Sequence, residues 1–120
     1  MAKPRFLNTL QVKQLPDERW ELTQPLTFYS SFGFVSIPAG FDTDFCSIPR
    51  IPFVYSWLGN RFQAAGAIHD YIYRYKMFPR WICDAILCEA AEALGATPVE
   101  QDVLWAGVRL GGWMYYGRKK

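Results

Sequence analysis

The amino-acid sequence predicts an α+β domain in which an N-terminal antiparallel β-meander of short strands is followed by three α-helices. The first half of the chain holds short aromatic and β-branched runs that are separated by turn residues. After about position 60, apolar residues recur at helical spacing instead. A length of 120 residues fits one domain, so we expect a single domain over 1–120.

Strand-like runs occupy about 9–38. The clearest are RWELT (19–23), LTFYSS (26–31) and FGFVSIP (32–38), with Gln24-Pro25 and Gly33 as turn residues. The stretch that follows contains three prolines and a glycine within 38–52. We therefore expect an ordered loop over about 38–58, called the motif loop below.

Helices are expected at about 60–75, 79–94 and 98–111. The first carries an apolar stripe of Ala65, Ile68 and Ile72. The second is apolar around most of its circumference, which predicts burial, and Gly95 should end it.

The third helix begins with a recognisable start signal. Thr97 is a good N-cap residue, and Glu100 three positions later can complete a capping box. We expect its core-facing stripe to consist of Val99, Val103, Ala106, Gly107 and Leu110.

Composition and charge restrict the possible classes of function. A chain with 51% apolar and 18% aromatic residues is not disordered, and a net charge of +2 gives no indication of a nucleic-acid partner. No run approaches the roughly 18–20 apolar residues of a transmembrane segment, and no signal peptide is visible. The 3 cysteines lack the spacing of a disulfide framework. We therefore expect an intracellular globular protein and leave its oligomeric state open.

The motif loop concentrates polar residues among apolar ones. Asp42, Thr43, Asp44, Ser47 and Arg50 all fall within 42–50. In one interpretation the carboxylates accept backbone N–H groups and pair with Arg50, so that the loop satisfies itself. In the other, Asp44 is a metal ligand or a substrate-facing acid, and Ser47 and Arg50 bind the substrate.

The stretch AAGAIHDYIYR contains His69, the only histidine of the chain. His69 and Tyr73 share a helix face at i, i+4, whereas Asp70 points about 100° away and can pair with Arg74. One interpretation is a surface ion pair beside a core histidine. The other is a functional site, with His69 as a base, Tyr73 as a supporting hydroxyl and Asp70 as a metal ligand.

Asp84 begins a core-facing stripe of the second helix. A buried carboxylate without a partner is costly, and the short connection brings the first helix back antiparallel, so His69 or Tyr73 is its expected donor. An Asp bonded to a histidine fixes its tautomer and raises its basicity, as a general base requires. A structural hydrogen bond without chemistry is the alternative.

The cysteines and Arg109 give weaker signals. Cys83 and Cys88 lie about 140° apart around a helix, and their spacing with Cys46 and His69 is not that of a zinc motif. We expect core thiols. Arg109 is a lone charge in an apolar run, expected near Asp44 or Asp84 or extended to solvent.

Four segments, IPAGFDTDFCSIPR, AAGAIHDYIYR, CDAILCEA and LWAGVRLGGW, together resemble an uncharacterised phage and prophage family, a domain of unknown function. Its pattern runs VPxGFxTDxxSxPR, AAxxHDxxYR, ADxxFxEAM and YxGVRxFG, and the resemblance covers nearly the whole chain. Cys83 and Leu87 replace the usual alanine and phenylalanine, and RLGG lacks the usual aromatic residue. The resemblance implies a phage or prophage gene and transfers no activity.

A second resemblance is local. HDxxY on a helix, with an Asp on the next antiparallel helix, is similar to the active-site helices of calcium-dependent secreted phospholipases and of the parvovirus capsid version. It implies that His69 activates water, Asp70 binds calcium, Asp84 supports the histidine and Tyr73 joins the network. The upstream YSWLGNRF has one glycine where the calcium loop of those enzymes has several, and their disulfides are absent.

Two hypotheses follow from these residues. In the first, the protein is a small hydrolase that uses His69 or a metal-bound water on an ester, an amide or a phosphodiester in the host envelope or cytoplasm. An oxygen-rich site favours calcium, magnesium or manganese as the divalent cation. A histidine–aspartate phosphohydrolase is disfavoured, because its site needs several histidines.

In the second hypothesis the protein is a non-catalytic virion, tail or assembly component. Its partners are other phage structural proteins, and its polar motifs are structural. We then expect the protein in the host cytoplasm or associated with the virion. The expected contact surface consists of exposed aromatic residues, namely Trp57, Trp113, Tyr115 and Tyr116.

Overall fold

Six short strands precede three helices in the computed structural model, which describes residues 3–17, 19–43 and 61–111. The strand pairings within these residues are all antiparallel, so the α+β class with strands first and helices second is confirmed. The strands are β1 Arg5–Phe6, β2 Val12–Gln14, β3 Trp20–Leu22, β4 Leu26–Ser30, β5 Gly33–Ile37 and β6 Asp42–Thr43.

The strands form two small sheets and not one continuous meander. One sheet has the order β1-β4-β5 and the other the order β2-β3-β6. The connection between β3 and β4 contains Pro25, which has no N–H to donate to a neighbouring strand. Consecutive strands β3 and β4 lie in different sheets.

The β4–β5 hairpin provides the wall against which the helices pack. Its register runs from Leu26 opposite Ile37 to Ser30 opposite Gly33, around a two-residue turn. Gly33 has a φ of 118°, a conformation that side chains disfavour. Alternate residues of β4 are buried, so one face of the hairpin joins the core with the helices, as the alternation in the sequence predicts.

The motif loop begins as a strand, which corrects the predicted loop over 38–58. In β6, Asp42 pairs with Glu21 and Thr43 with Trp20 of β3. The Leu22 N–H also donates to the carbonyl of Phe41. Backbone pairing with β3 thus holds this first part of the motif loop extended, and its remainder lies outside the described residues.

The helices are α1 Gln63–Arg74, α2 Arg80–Ala93 and α3 Pro98–Gly111, close to the predicted bounds. The expected stripe of α1 is confirmed, because Ala65, Ile68 and Ile72 are fully buried. Gly95 ends α2 with a φ of 98°, and the Ala96 N–H closes back onto an earlier carbonyl.

Helix α3 begins with the predicted capping box. The Glu100 N–H donates to Thr97 Oγ1 over 3.2 Å, and the Thr97 N–H donates to Glu100 Oε1 over 2.9 Å. Arg61 Nη2 also donates to Glu100 Oε1 over 2.9 Å, and this guanidinium holds the pKa of Glu100 below its ordinary value.

The predicted core stripe of α3 is wrong for Val99, Ala106 and Leu110, although Val103 does pack against the core. Val99 is 61% and Leu110 80% exposed, whereas Leu104 and Val108 are buried beside the capping Glu100. The anchors of Glu100 to Arg61 and of Arg109 to Asp84 on α2 determine the helix rotation. They turn the side of α3 that carries Leu104 toward the core, and Ala106 on the predicted stripe is exposed.

None of the described helices is both long and apolar enough to span a membrane.

Candidate functional site

Asp84 lies at the centre of a polar network that is buried between the helices. His69 Nε2 and Tyr73 Oη each lie 2.8 Å from Asp84 Oδ1. The i, i+4 spacing stacks the two α1 rings with their centroids 4.1 Å apart, and antiparallel packing of α1 against α2 brings the carboxylate to them. The expectation that Asp84 finds a donor in His69 or Tyr73 is confirmed for both residues.

The other oxygen of Asp84 is bound from the third helix. Arg109 Nη1 donates to Asp84 Oδ2 over 3.0 Å, so one of the three alternatives for Arg109 is confirmed. The carboxylate therefore accepts from both α1 and α3 while it belongs to α2. The carboxylate is fully buried, and hydrogen bonds to both of its oxygens offset the cost of removing a charge from water.

Arg80 ties the network to the end of α3. Its Nε donates to Tyr73 Oη over 3.0 Å, and its Nη2 donates to the carbonyls of Val108 and Arg109 over 2.7 Å each. These carbonyls belong to the last turn of α3, where helix carbonyls lack intrahelical partners. Arg80 thus holds the Tyr73 hydroxyl and the backbone that carries Arg109 in fixed relative positions.

The electrostatics of the network keep Asp84 ionised and Tyr73 protonated. Burial alone would raise the pKa of Asp84, but the hydrogen bonds from His69, Tyr73 and Arg109 outweigh it and lower that pKa below its ordinary value. Burial and the bond to Asp84 raise the pKa of Tyr73 above its usual range. The phenol is therefore a donor and the carboxylate an acceptor at neutral pH.

Asp70 belongs to a second buried cluster that joins α1 to β6. Its Oδ2 accepts from Thr43 Oγ1 over 2.7 Å and from Arg74 Nη2 over 3.1 Å. Arg74 Nη2 also donates to the carbonyl of Asp42 over 3.0 Å. The predicted pairing of Asp70 with Arg74 is confirmed, but both residues are only 7% exposed, so the idea of a surface ion pair is wrong.

The Arg74 guanidinium lies between the Asp70 carboxylate and an aromatic ring. Its guanidinium carbon lies 4.4 Å from the centre of the Phe41 ring, which is cation–π geometry. Its buried Nε has no hydrogen-bond partner among the described residues. The hydrogen bonds of Arg74 among the described residues therefore go to Asp70 and to the β6 strand.

The structure brings only some of the predicted site residues together. His69, Tyr73 and Asp84 form one network, and Asp70 lies in the neighbouring cluster on the other side of α1. The other predicted positions lie outside the described residues. They are Asp44, Ser47 and Arg50 of the predicted site, Cys46, the YSWLGNRF segment from Tyr55 to Asn60, and the aromatic residues Trp57, Trp113, Tyr115 and Tyr116.

Sequence reasoning missed Arg80. A cation in the first turn of a helix opposes the helix dipole, and this position was a signal that Arg80 has a stabilising partner elsewhere. Thr43 was noted as part of the motif loop but was not connected with Asp70. Nothing in the sequence relates these two positions, because they meet only through the pairing of β6 with β3.

The expectation of core thiols is confirmed for Cys83, whereas Cys88 is only half-buried. Cys83 is fully buried and donates to the carbonyl of Phe78 over 3.4 Å. Burial raises the pKa of Cys83 to about 12 and that of Cys88 to about 11, so neither is a nucleophile at neutral pH. Among residues 3–17, 19–43 and 61–111, no group of three His, Cys, Asp or Glu side chains is placed to hold a metal ion.

Comparison with known proteins identifies the family. A search of curated proteins found no match, and a search of solved structures likewise found none. A family model described as a protein of unknown function, DUF1353, matches residues 20–108. The matched segment is well over half of the chain and contains the Asp70 cluster and, apart from Arg109, the Asp84 network. The chain therefore belongs to the DUF1353 family.

Proposed function

We propose that this protein is a small hydrolase in which His69, oriented by Asp84, activates a water molecule to attack an ester, an amide or a phosphodiester. The observation that carries the proposal is the 2.8 Å contact between His69 Nε2 and the buried Asp84 carboxylate. The resemblance of the sequence motifs to a phage family supports a phage or prophage gene, with action in the host cytoplasm, at the envelope or in the virion.

The state of Asp84 assigns the tautomer of His69. Tyr73 and Arg109 donate to Asp84, and these bonds favour the ionised carboxylate, which has no proton of its own to donate. His69 must therefore donate from Nε2. In the neutral ring the basic lone pair is then on Nδ1, and a general base needs such a lone pair in a fixed direction.

The contacts of Asp70 favour the form of this mechanism in which the metal is not essential. Asp70 already accepts from Thr43 and from the guanidinium of Arg74, and a divalent cation would have to displace or repel that guanidinium. A calcium, magnesium or manganese ion bound with help from Asp44 is the metal-assisted form of the proposal. The two forms differ in whether activity needs the ion.

The test is a set of hydrolysis assays with chromogenic ester, amide and phosphodiester substrates, each with and without the three cations. We expect His69→Gln to lower the rate by about 10²–10⁴-fold, the usual contribution of a general base. The matched control is Glu92→Gln, which changes an exposed residue of α2 and should leave the rate unchanged. Rates are normalised to the folded fraction measured by circular dichroism.

A second measurement is independent of the choice of substrate. Because His69 is the only histidine, its ring nitrogen shifts in an NMR spectrum are unambiguous, and we expect the proton on Nε2 in the neutral ring. A proton on Nδ1, or full activity in His69→Gln, would overturn the proposal. Loss of activity when the cations are removed would select the metal-assisted form.

The second candidate function is a non-catalytic virion or assembly component. The observation that favours it is burial: His69 is 1% and Asp84 0% exposed, as expected of residues that lock helices together. If this function is correct, purified particles contain the chain in a fixed copy number, and no substrate class is hydrolysed above the rate of His69→Gln. Activity that depends on His69 would exclude it.

A further inference from the structure

We infer that the largely exposed apolar stripe of α3 is a self-association surface, on which a second copy of this chain packs its own α3 in the antiparallel direction. The stripe consists of the exposed residues Val99, Ala106 and Leu110 and of Val103, which is half-buried at the edge of the core. It lies on a different side of α3 from the buried residues Leu104 and Val108. This inference does not depend on the hydrolase proposal.

The spacing of the stripe is that of a helix-pairing seam. Its residues follow one another at intervals of four, three and four, the alternation of a and d positions in coiled coils. With 100° per residue they fall within about 60° of one another, and they extend over about 16 Å of helix. Val99 is 61% and Leu110 80% exposed, so the two ends of the stripe are open to a partner.

The charges beside the stripe favour a second copy as the occupant. Asp102 and Arg109 flank the stripe on the same side, seven residues apart. Asp102 is exposed and makes no hydrogen bond or ion pair with the rest of the described chain. Arg109 is 32% exposed and has further donors besides the nitrogen that bonds Asp84.

Antiparallel pairing satisfies both charges at once. When Val99 of one copy packs against Leu110 of the other, Asp102 of each copy lies next to Arg109 of its partner, and two-fold symmetry produces this pair twice. In a parallel arrangement Asp102 lies level with Asp102 of the partner, and Arg109 lies level with Arg109 of the partner. Opposite charges then do not meet. The charge pattern therefore selects the direction of the helices.

The size of the seam determines the strength of the dimer. A stable interface buries roughly 800 Å² on each partner, and one helix pair in contact over about 16 Å provides less. We therefore expect a weak, reversible dimer whose population rises with protein concentration. Its ion pairs are solvent-exposed, so salt should weaken it.

Sedimentation equilibrium of the full chain tests the stripe. Between about 10 µM and 1 mM, a range that brackets weak dissociation constants, the average mass should rise from that of a monomer toward that of a dimer. Leu110→Gln should weaken association by at least about tenfold. The matched control is Leu7→Gln, an exposed leucine near the N-terminus that should change nothing.

A charge reversal tests the direction. Asp102→Lys should weaken association by about tenfold or more, because each lysine then faces Arg109 of the partner. Glu92→Lys makes the same change of charge on the exposed side of α2 and should have no effect. A chain that stays monomeric over the whole range overturns the proposal and leaves the stripe to a different protein. Equal association of the two leucine variants, or of the two lysine variants, also overturns it.

Discussion

Replacing Asp84 with asparagine isolates the charge at the centre of the buried network. The side chain keeps its shape, but one acceptor oxygen becomes an NH₂ donor. Asp84 accepts from His69 and Tyr73 at Oδ1 and from Arg109 at Oδ2. The amide offers one acceptor atom in place of two, so at least one of these donors loses its partner.

The expected loss of stability follows from the burial of the partners. Breaking a buried ion pair costs about 3–5 kcal/mol, and one hydrogen bond to a charged group contributes about 1.5–3 kcal/mol. Arg109 is 32% exposed and can recover water when its partner is lost, which places the cost at the lower end. We expect Asp84→Asn to lower the free energy of unfolding by about 2–4 kcal/mol, against a total of about 5–15 kcal/mol for a domain.

The dependence of stability on pH shows whether the ionised Asp84 carboxylate stabilises the folded state. The pKa of Asp84 is lowered in the folded state, so its contribution to stability is present above its unfolded-state pKa of about 4. That contribution is lost as the pH falls through the still lower folded-state pKa. Below about pH 4 the wild-type protein should therefore lose stability more steeply than Asp84→Asn, and the difference between the two should narrow.

Urea unfolding followed by the fluorescence of the 5 tryptophans measures both effects between about pH 3 and pH 7. The matched control is Asp102→Asn, an exposed carboxylate that should stay within about 0.5 kcal/mol of the wild type. A cost for Asp84→Asn below about 1 kcal/mol, or a difference from the wild type that does not change with pH, would refute the reasoning from the network.

Three further predictions concern the core, a helix end and the thiols. Phe28→Ala should cost about 3–5 kcal/mol in urea unfolding because Phe28 is fully buried, whereas Phe34→Ala on the exposed side of the same hairpin should cost about 0.5 kcal/mol or less; equal costs would contradict the assignment of the two faces. Gly95→Ala should lower stability by about 1 kcal/mol, since the φ of 98° disfavours a side chain, and an unchanged unfolding midpoint would argue against that backbone conformation. Because their pKa values are raised to about 12 and about 11, Cys83 and Cys88 should react with a thiol reagent at pH 8 far more slowly in the folded protein than in urea, and equal rates would show that burial does not protect them.

Local signals in the sequence predicted much of the fold. The capping box at Thr97, the glycine stop at Gly95 and the alternation along β4 each depend on neighbours within a few residues, and each is present in the structure. The division into two sheets was not predicted, because it depends on which strands pair at long range. The prediction of which side of α3 faces the core failed for a similar reason. Periodicity identifies an apolar stripe, but the distant partners of Glu100 and Arg109 decide which stripe is buried.

In the candidate site, too, contacts between neighbouring elements were predictable and contacts that depend on long-range pairing were not. The pairing of Asp84 with α1 was predictable, since a short connection between two helices restricts which side chains can meet. The link between Asp70 and Thr43 was not, because it requires β6 to pair with β3 first. The proposed convergence of Asp44 with His69 stays a prediction, since Asp44 lies outside the described residues.

The geometry of Asp84 also separates a structural role of His69 from a chemical one. Tyr73 and Arg109 together reach both carboxylate oxygens, so the carboxylate is hydrogen-bonded at each oxygen even without the imidazole. A glutamine at position 69 can still donate from its amide. His69→Gln should therefore cost about 1–2 kcal/mol in urea unfolding, less than Asp84→Asn. If His69→Gln instead costs as much as Asp84→Asn, the histidine is needed to hold the helices together, and burial alone explains its presence. A small cost in stability together with a large loss of hydrolysis would mean that the pair is maintained for the orientation and basicity of the ring.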